Sequence, residues 1–201
     1  MPRIHGHPVN ALFPDSGPVS VMLFGEAPGP RGADQSGIPF WGDGAGITVF
    51  RALVATSRAE VPIGAWEDWD GARFRKLGMA PRLHGTALSN AYPACPTKDG
   101  DHFHAPSNRD LLAAANLLRL ADELARAQEG RTSPLRVIAF GKRAEWVLTR
   151  LTDAPPFHLH ALPHPSAQGL LQGAPNQGKG MKLDFLRNVW QQRLISLLTE
   201  P

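Results

Sequence analysis

Apolar positions along this chain switch repeatedly between two periods. Val19–Phe24 (VSVMLF) is an almost unbroken apolar run ending at Gly25, the pattern of a strand buried on both faces. Ile47–Val54 carries apolar residues at 47, 49, 50, 53 and 54, a helical spacing that follows the turn GDGAG. Thr86–Ser89 predicts a short second strand ending at Asn90. Between Leu111 and Ala127, residues Leu111, Leu112, Ala115, Leu118, Ala121, Leu124 and Ala125 fall on one side of a helix, which Asn108 or Asp110 would cap. Arg136–Phe140 reads as a third strand, stopped by Gly141 and followed by helical Arg143–Leu151. Phe157–Leu162 is a fourth, ended by Pro163. Met181–Leu198 closes the chain as an amphipathic helix through Phe185, Val189, Leu194 and Leu197.

Strands alternating with helices imply an α/β fold in three layers (αβα), with a central, mostly parallel sheet of about four strands. No internal repeat and no linker interrupts the pattern, so residues 1–201 read as a single domain. A parallel sheet gathers ligands at the carboxyl ends of its strands. The unusual residues stand there: Glu26 after the first strand, Asn90 after the second, Gly141 after the third and His164 after the fourth.

Composition narrows the classes. No stretch has the length of apolar residues needed to span a bilayer, and Met1–Phe13 is too polar and proline-broken for a secretory signal. Cys95 is the only cysteine, which excludes an internal disulfide and a cysteine-built zinc site. A bacterial-type cytoplasmic setting is expected. The net charge of +3 permits an anionic partner such as nucleic acid without demanding one.

Three segments carry candidate chemistry. FGEAPGPRGADQSGIPFWGDGAG (24–46) is a glycine-rich loop after a strand, yet it contains neither a P-loop nor a dinucleotide fingerprint. Pro28 and Pro30 also remove amide donors that a phosphate cradle would use. Taken alone, Glu26 could be a solvated residue in a tight turn. In ALPHPSAQG (161–169), two prolines preset the direction of His164, and Ser166 with the following amides could hold a phosphate. SNAYPACP (89–96) and PSNRD (106–110) offer Asn90, whose amide suits the edge of a base, and Asn108, which serves equally as a helix cap.

Together, GEAPG (25–29), GIPFWG (37–42), Asn90, Asn108–Arg109, GKRA (141–144) and HPS (164–166) resemble the uracil-DNA glycosylase superfamily, most closely its iron–sulfur branch, family 4. The likeness runs in order over roughly residues 19 to 198. It departs in two places. The branch holds its cluster with four cysteines, which one cysteine cannot supply, so no cofactor is expected. The acidic pair after GEAPG is reduced to Ala33–Asp34.

The resemblance implies a DNA glycosylase that hydrolyses the N-glycosidic bond of uracil or a related deaminated base flipped out of DNA. Glu26 would direct a water at C1′ and His164 would stabilise the leaving base. Ala27 would line the base pocket, Phe40 would stack on the ring and Asn90 would read its edge. Asn108, Arg109 and Ser166 would contact DNA, and Leu170 with Leu171 could wedge into the vacated stack. The expected partner is DNA containing such a base; no metal, no membrane and a monomeric state are expected. Rival readings remain. FHLHALPH (157–164) could place His158, His160 and His164 around a metal; a relative could bind uracil or damaged DNA without excising the base; and a covalent trap would draw on His102 or His104.

Overall fold

A computed structural model describes residues 7–200. In chain order its strands are β1 (Val21–Gly25), β2 (Ala59–Glu60), β3 (Arg82–Leu83), β4 (Thr86–Asn90), β5 (Leu135–Phe140) and β6 (Phe157–Leu162). Its α-helices are α1 (Ala33–Ser36), α2 (Gly46–Ala55), α3 (Gly71–Leu77), α4 (Asn108–Leu111), α5 (Ala114–Gln128), α6 (Lys142–Leu148), α7 (Ala167–Gly173) and α8 (Leu183–Thr199). Four strands form one parallel sheet in the order β4-β1-β5-β6, while β2 and β3 make a small antiparallel pair.

Every residue of β1 is buried because this strand lies inside the sheet with helices on both faces. Its side chains alternate between two cores. Val21 and Leu23 join Leu88, Ile138 and Phe140 against α2 and α8, through Val49, Phe50, Leu53, Leu186, Trp190 and Leu194. Met22 and Phe24 join Ala87, Val137 and Ala139 against α5 and α6, through Leu120, Leu124, Val147 and Leu148. The expected three-layer αβα arrangement with a four-stranded parallel sheet is therefore present.

Both long helices bury a face that overlaps only in part with the one expected, sharing Ala121 and Leu124 in α5 and Leu194 in α8. The α5 helix begins afresh at Ala114 after the short α4, so its buried side runs through Asn116, Leu120, Ala121, Leu124 and Ala127, while Leu118 is 62% exposed. Neither Asn108 nor Asp110 caps it. Ser107 caps α4 in a reciprocal box with Asp110, and Asn108 is the first helical residue. In α8 the buried stripe is Leu186, Trp190, Leu194 and Leu198, and Phe185 and Val189 face outward. Two arginines, Arg136 in β5 and Arg58 just after α2, hold the end of that helix. Arg58 and Arg136 donate to the carbonyls of Leu198 and Leu197, each at 2.8 Å, at the helix end where cations are favoured.

Between β1 and α2 the chain folds around one carboxylate. Asp43 accepts hydrogen bonds from the amides of Gly29 and Ala33, and it sits so close to Gly29 that a side chain there would collide with it. The residue is partly exposed but its carboxylate is the enclosed end. Burial raises its pKa from 3.8 to about 6 against the pull of those amides, with the nearby charge of Asp34 acting in the same direction as burial. A carboxyl whose folded pKa is raised stabilises the fold fully below its unfolded value and loses that contribution as pH climbs through about 6. Asp43→Asn keeps an acceptor for the two amides and removes the titration. Its thermal midpoint relative to the parent should rise between about pH 4 and pH 8, corresponding to roughly 3 kcal/mol at most. A difference that stays flat with pH in thermal melts would contradict this account.

Candidate active site

The parallel register brings Gly25 of β1 opposite Asn90 of β4 at the carboxyl end of the sheet. A Cβ on Gly25 would lie 2.5 Å from Asn90 Oδ1 and 2.8 Å from Phe40 Cε1. Only glycine leaves room for that approach, so the Asn90 amide and the Phe40 ring meet over its Cα. Phe40 holds its place with a left-handed backbone (φ +64°), a conformation costly for an aromatic residue, and its ring packs edge-on to Phe140 with centroids 5.6 Å apart. Asn90 is 2% exposed, and its Nδ2 is buried without a hydrogen-bond partner. Its backbone is fixed from α5: Arg119 donates to the Asn90 carbonyl at 2.9 Å and pairs with Glu123, which accepts from Ser89 Oγ at 2.6 Å. Asn116 donates to the Ala91 carbonyl at 2.9 Å.

Glu26 follows Gly25 directly, and its carbonyl accepts from the Tyr92 amide at 2.9 Å, which ties the loop to the end of β4. Arg143 Nε, from the second residue of α6, stands 3.0 Å from Glu26 Oε1. The angle falls short of a hydrogen bond, so both buried atoms keep a bonding position open. The guanidinium also donates to the carbonyl of Pro106. Burial raises the pKa of Glu26, and the positive charge of Arg143 opposes the rise.

His164 lies between two glycines. A Cβ on Gly141, just past β5, would come within 3.3 Å of His164 Cβ, and one on Gly169 in α7 within 2.8 Å. Trp190 donates to the Pro163 carbonyl at 2.7 Å and so anchors the turn from α8. Burial lowers the His164 pKa to about 4, leaving a neutral ring. The Ser166 amide donates to Nδ1 at 3.2 Å, so the ring proton sits on Nε2, free to be donated.

Glu26, Phe40, Asn90 and His164 thus come to one rim, contributed by segments that follow or flank β1, β4, β5 and β6. Ala27 lies partly exposed in the loop beside Glu26. Ser166 caps α7, accepting from the Gly169 amide at 3.2 Å. Asn108 and Arg109 are exposed on α4, two and three residues beyond Pro106, which Arg143 holds. Leu170 departs from expectation: it is 4% exposed and packed in the core with Trp190 and Leu194, and Leu171 is partly buried against the same cluster. A core side chain offers no wedge. Sequence reasoning missed Arg143, Arg119, Glu123 and Asn116. Arg119, Glu123 and Asn116 do stand at helical i, i+3 and i, i+4 spacing. Their contacts to the Asn90 and Ala91 carbonyls and Ser89, however, like those of Arg143 to Glu26 and Pro106, join segments distant in sequence.

Cys95 is buried, and a single thiolate does not fit a four-thiolate cluster, so no step is routed through one. Among the described residues no three histidine, cysteine, aspartate or glutamate side chains gather in a way that could hold a metal; His158, His160 and His164 form no such group. No helix among those residues is long and apolar enough to cross a membrane.

Comparison with curated proteins finds no match. The family model of the uracil DNA glycosylase superfamily matches residues 14–192, which takes in every strand and all of the rim. The chain belongs to the uracil DNA glycosylase superfamily.

Proposed function

We propose that the protein is a DNA N-glycosylase that removes uracil, or a related deaminated base, after the nucleotide is flipped out of DNA. The observation that carries this reading is the buried, unpartnered Nδ2 of Asn90, set beside the Phe40 ring and next to Glu26. A buried donor without a partner costs about 1–3 kcal/mol, a cost relieved when a ligand acceptor arrives. The O4 of a pyrimidine stacked on Phe40 supplies that acceptor, while its N3–H meets the amide oxygen of Asn90.

The chemistry then follows from the two groups beside this pocket. As the C1′–N1 bond breaks, its electron pair leaves with the base and positive charge develops on the sugar. Glu26, as a carboxylate, faces that charge and directs a water at C1′; the water oxygen bonds C1′ and its proton passes to the Glu26 carboxylate, which returns it to solvent. His164 donates from Nε2 to the O2 of the departing base, stabilising the anion in a site shielded from water. A neutral imidazole suits this task, because it donates without first having to be charged. Exposed Arg109 and Asn108 on α4 are the proposed DNA phosphate contacts, together with Ser166 and the amides at the start of α7. Ala27 lines the pocket.

A nicking assay over oligonucleotides bearing uracil, hypoxanthine, xanthine or an ordinary base tests the reading. Excision of at least one deaminated base, unaffected by EDTA, is expected. Release of none by the folded protein overturns the glycosylase assignment, and a protein–DNA adduct that survives denaturation would favour the trapping relative.

Glu26→Gln and His164→Ala should each slow excision by about a hundredfold or more with little change in thermal midpoint. The parent rate should climb with pH as Glu26 ionises, and that climb should extend above the ordinary carboxylate range because burial raises the Glu26 pKa. His164 is already neutral above about pH 4 and sets no limb in this window. Rates in both variants equal to the parent's would remove these two residues from the mechanism.

Asn90→Asp keeps the shape of the side chain and removes its donor. Uracil excision should fall by at least tenfold, on the basis of about 1–3 kcal/mol for one unsatisfied buried group. The competing account makes Asn90 a structural fastener. An equal loss on every base, in step with a lower thermal midpoint, would favour that account over base reading.

A further inference from the structure

Arg143 is not required by the GKRA turn, whose shape depends on Gly141 and on Ala144 packed in the core. Its guanidinium nevertheless reaches two other segments at once. One edge stands 3.0 Å from Glu26 Oε1, and another nitrogen donates to the carbonyl of buried Pro106, the residue before the Ser107 cap of α4. A planar fork with five donors can span two acceptors in this way where a point charge cannot. We propose that Arg143 is a positioning residue, which holds the Glu26 carboxylate and joins it to the segment that presents Asn108 and Arg109. This rests on the glycosylase reading of Glu26.

The electrostatics agree with the geometry. Burial drives Glu26 toward its neutral form, and Arg143 is the one charged group among the described residues that acts on it in the opposite direction. On the loop after β6, His164 is neutral. In the glycine-rich loop, the Asp34 charge acts on Asp43 and does not enter the balance at Glu26. The charge that opposes protonation of Glu26 therefore comes from α6, and the same side chain couples it to the segment before α4. DNA seated on α4 would press on the segment that Arg143 holds.

The test compares the full-length parent with Arg143→Gln, Arg143→Lys and Glu26→Gln. Single-turnover excision is followed from about pH 5 to pH 9, and the Glu26 side-chain carboxyl is titrated by carbon-13 NMR without DNA. Arg143→Gln should lose several-fold more activity at about pH 5.5 than at about pH 8.5, and its Glu26 carboxyl should titrate at higher pH than the parent's. Arg143→Lys should bring the Glu26 titration and the pH dependence back toward the parent's, because it restores the charge, yet leave the plateau rate below the parent's, because a point charge cannot also hold Pro106. A loss uniform across pH, with the Glu26 titration unmoved, overturns the proposal and leaves Arg143 a structural residue. Should the parent excise nothing, the glycosylase reading fails by itself. The NMR titration still decides whether Arg143 governs Glu26.

Discussion

The parallel pairing of β1 with β4 on one side and β5 on the other is the constraint from which the site follows. Because the strands run the same way, their carboxyl ends lie along one edge, and each hands its next residues to the same rim. Gly25 opposite Asn90 is the tightest instance, since the missing side chain lets the amide and the Phe40 ring close on one spot. A slip of β4 by one residue in this register would turn Asn90 to the other face of the sheet. Apolar packing on both faces makes such a slip costly, so the hydrophobic layers that stabilise the fold also fix the chemistry.

Buried polar groups at the rim divide into two kinds. Those that hold the scaffold are satisfied: the Asn90 and Ala91 carbonyls by Arg119 and Asn116, Ser89 by Glu123, Pro163 by Trp190, and Nδ1 of His164 by the Ser166 amide. Those that face the space between the strand ends are not, namely Asn90 Nδ2, Glu26 Oε1 and Arg143 Nε. The open Nδ2 of Asn90 lowers stability by about 1–3 kcal/mol, while Glu26 Oε1 and Arg143 Nε offset part of their cost as an ion pair at 3.0 Å. The cost falls at the places where the proposed base and water would bind, and the satisfied network behind them keeps those groups from relaxing toward other partners. The left-handed Phe40 is a third concession at the same spot.

The strands, and the residues just past their ends, were legible in the sequence because a doubly buried strand is an unbroken apolar run and a glycine or proline stops it. The helix faces were less so. Periodicity through Leu118 or Phe185 assumes one continuous helix against one surface, but α5 restarts at Ala114 and buries the polar Asn116 to satisfy two carbonyls. Arg58 and Arg136 draw on carbonyls at the end of α8 that local sequence does not mark. Leu170 read as a wedge because it follows the HPS turn; in the fold, that turn doubles back as α7 and drives Leu170 into the core against Trp190. The short α1 and α3, and the pairing of β2 with β3, carry too few residues for any period to emerge.

One physical effect acts on both reacting groups of the proposed site. Removal from water favours the neutral form, so it lowers the His164 pKa and raises that of Glu26. For His164 this is the useful direction, because a neutral donor on Nε2 can strengthen its bond as negative charge grows on the leaving base. For Glu26 it is the wrong direction, because the proposed water and the cationic sugar both call for a carboxylate. The dry site that strengthens one interaction therefore weakens the other unless a charge acts on Glu26 alone. Arg143 is placed to do this: it reaches Glu26 from α6, which follows β5, on the other side of β1 from Asn90 at the end of β4. Selective opposition of that kind moves Glu26 back toward the carboxylate the proposed chemistry needs, while His164 stays neutral.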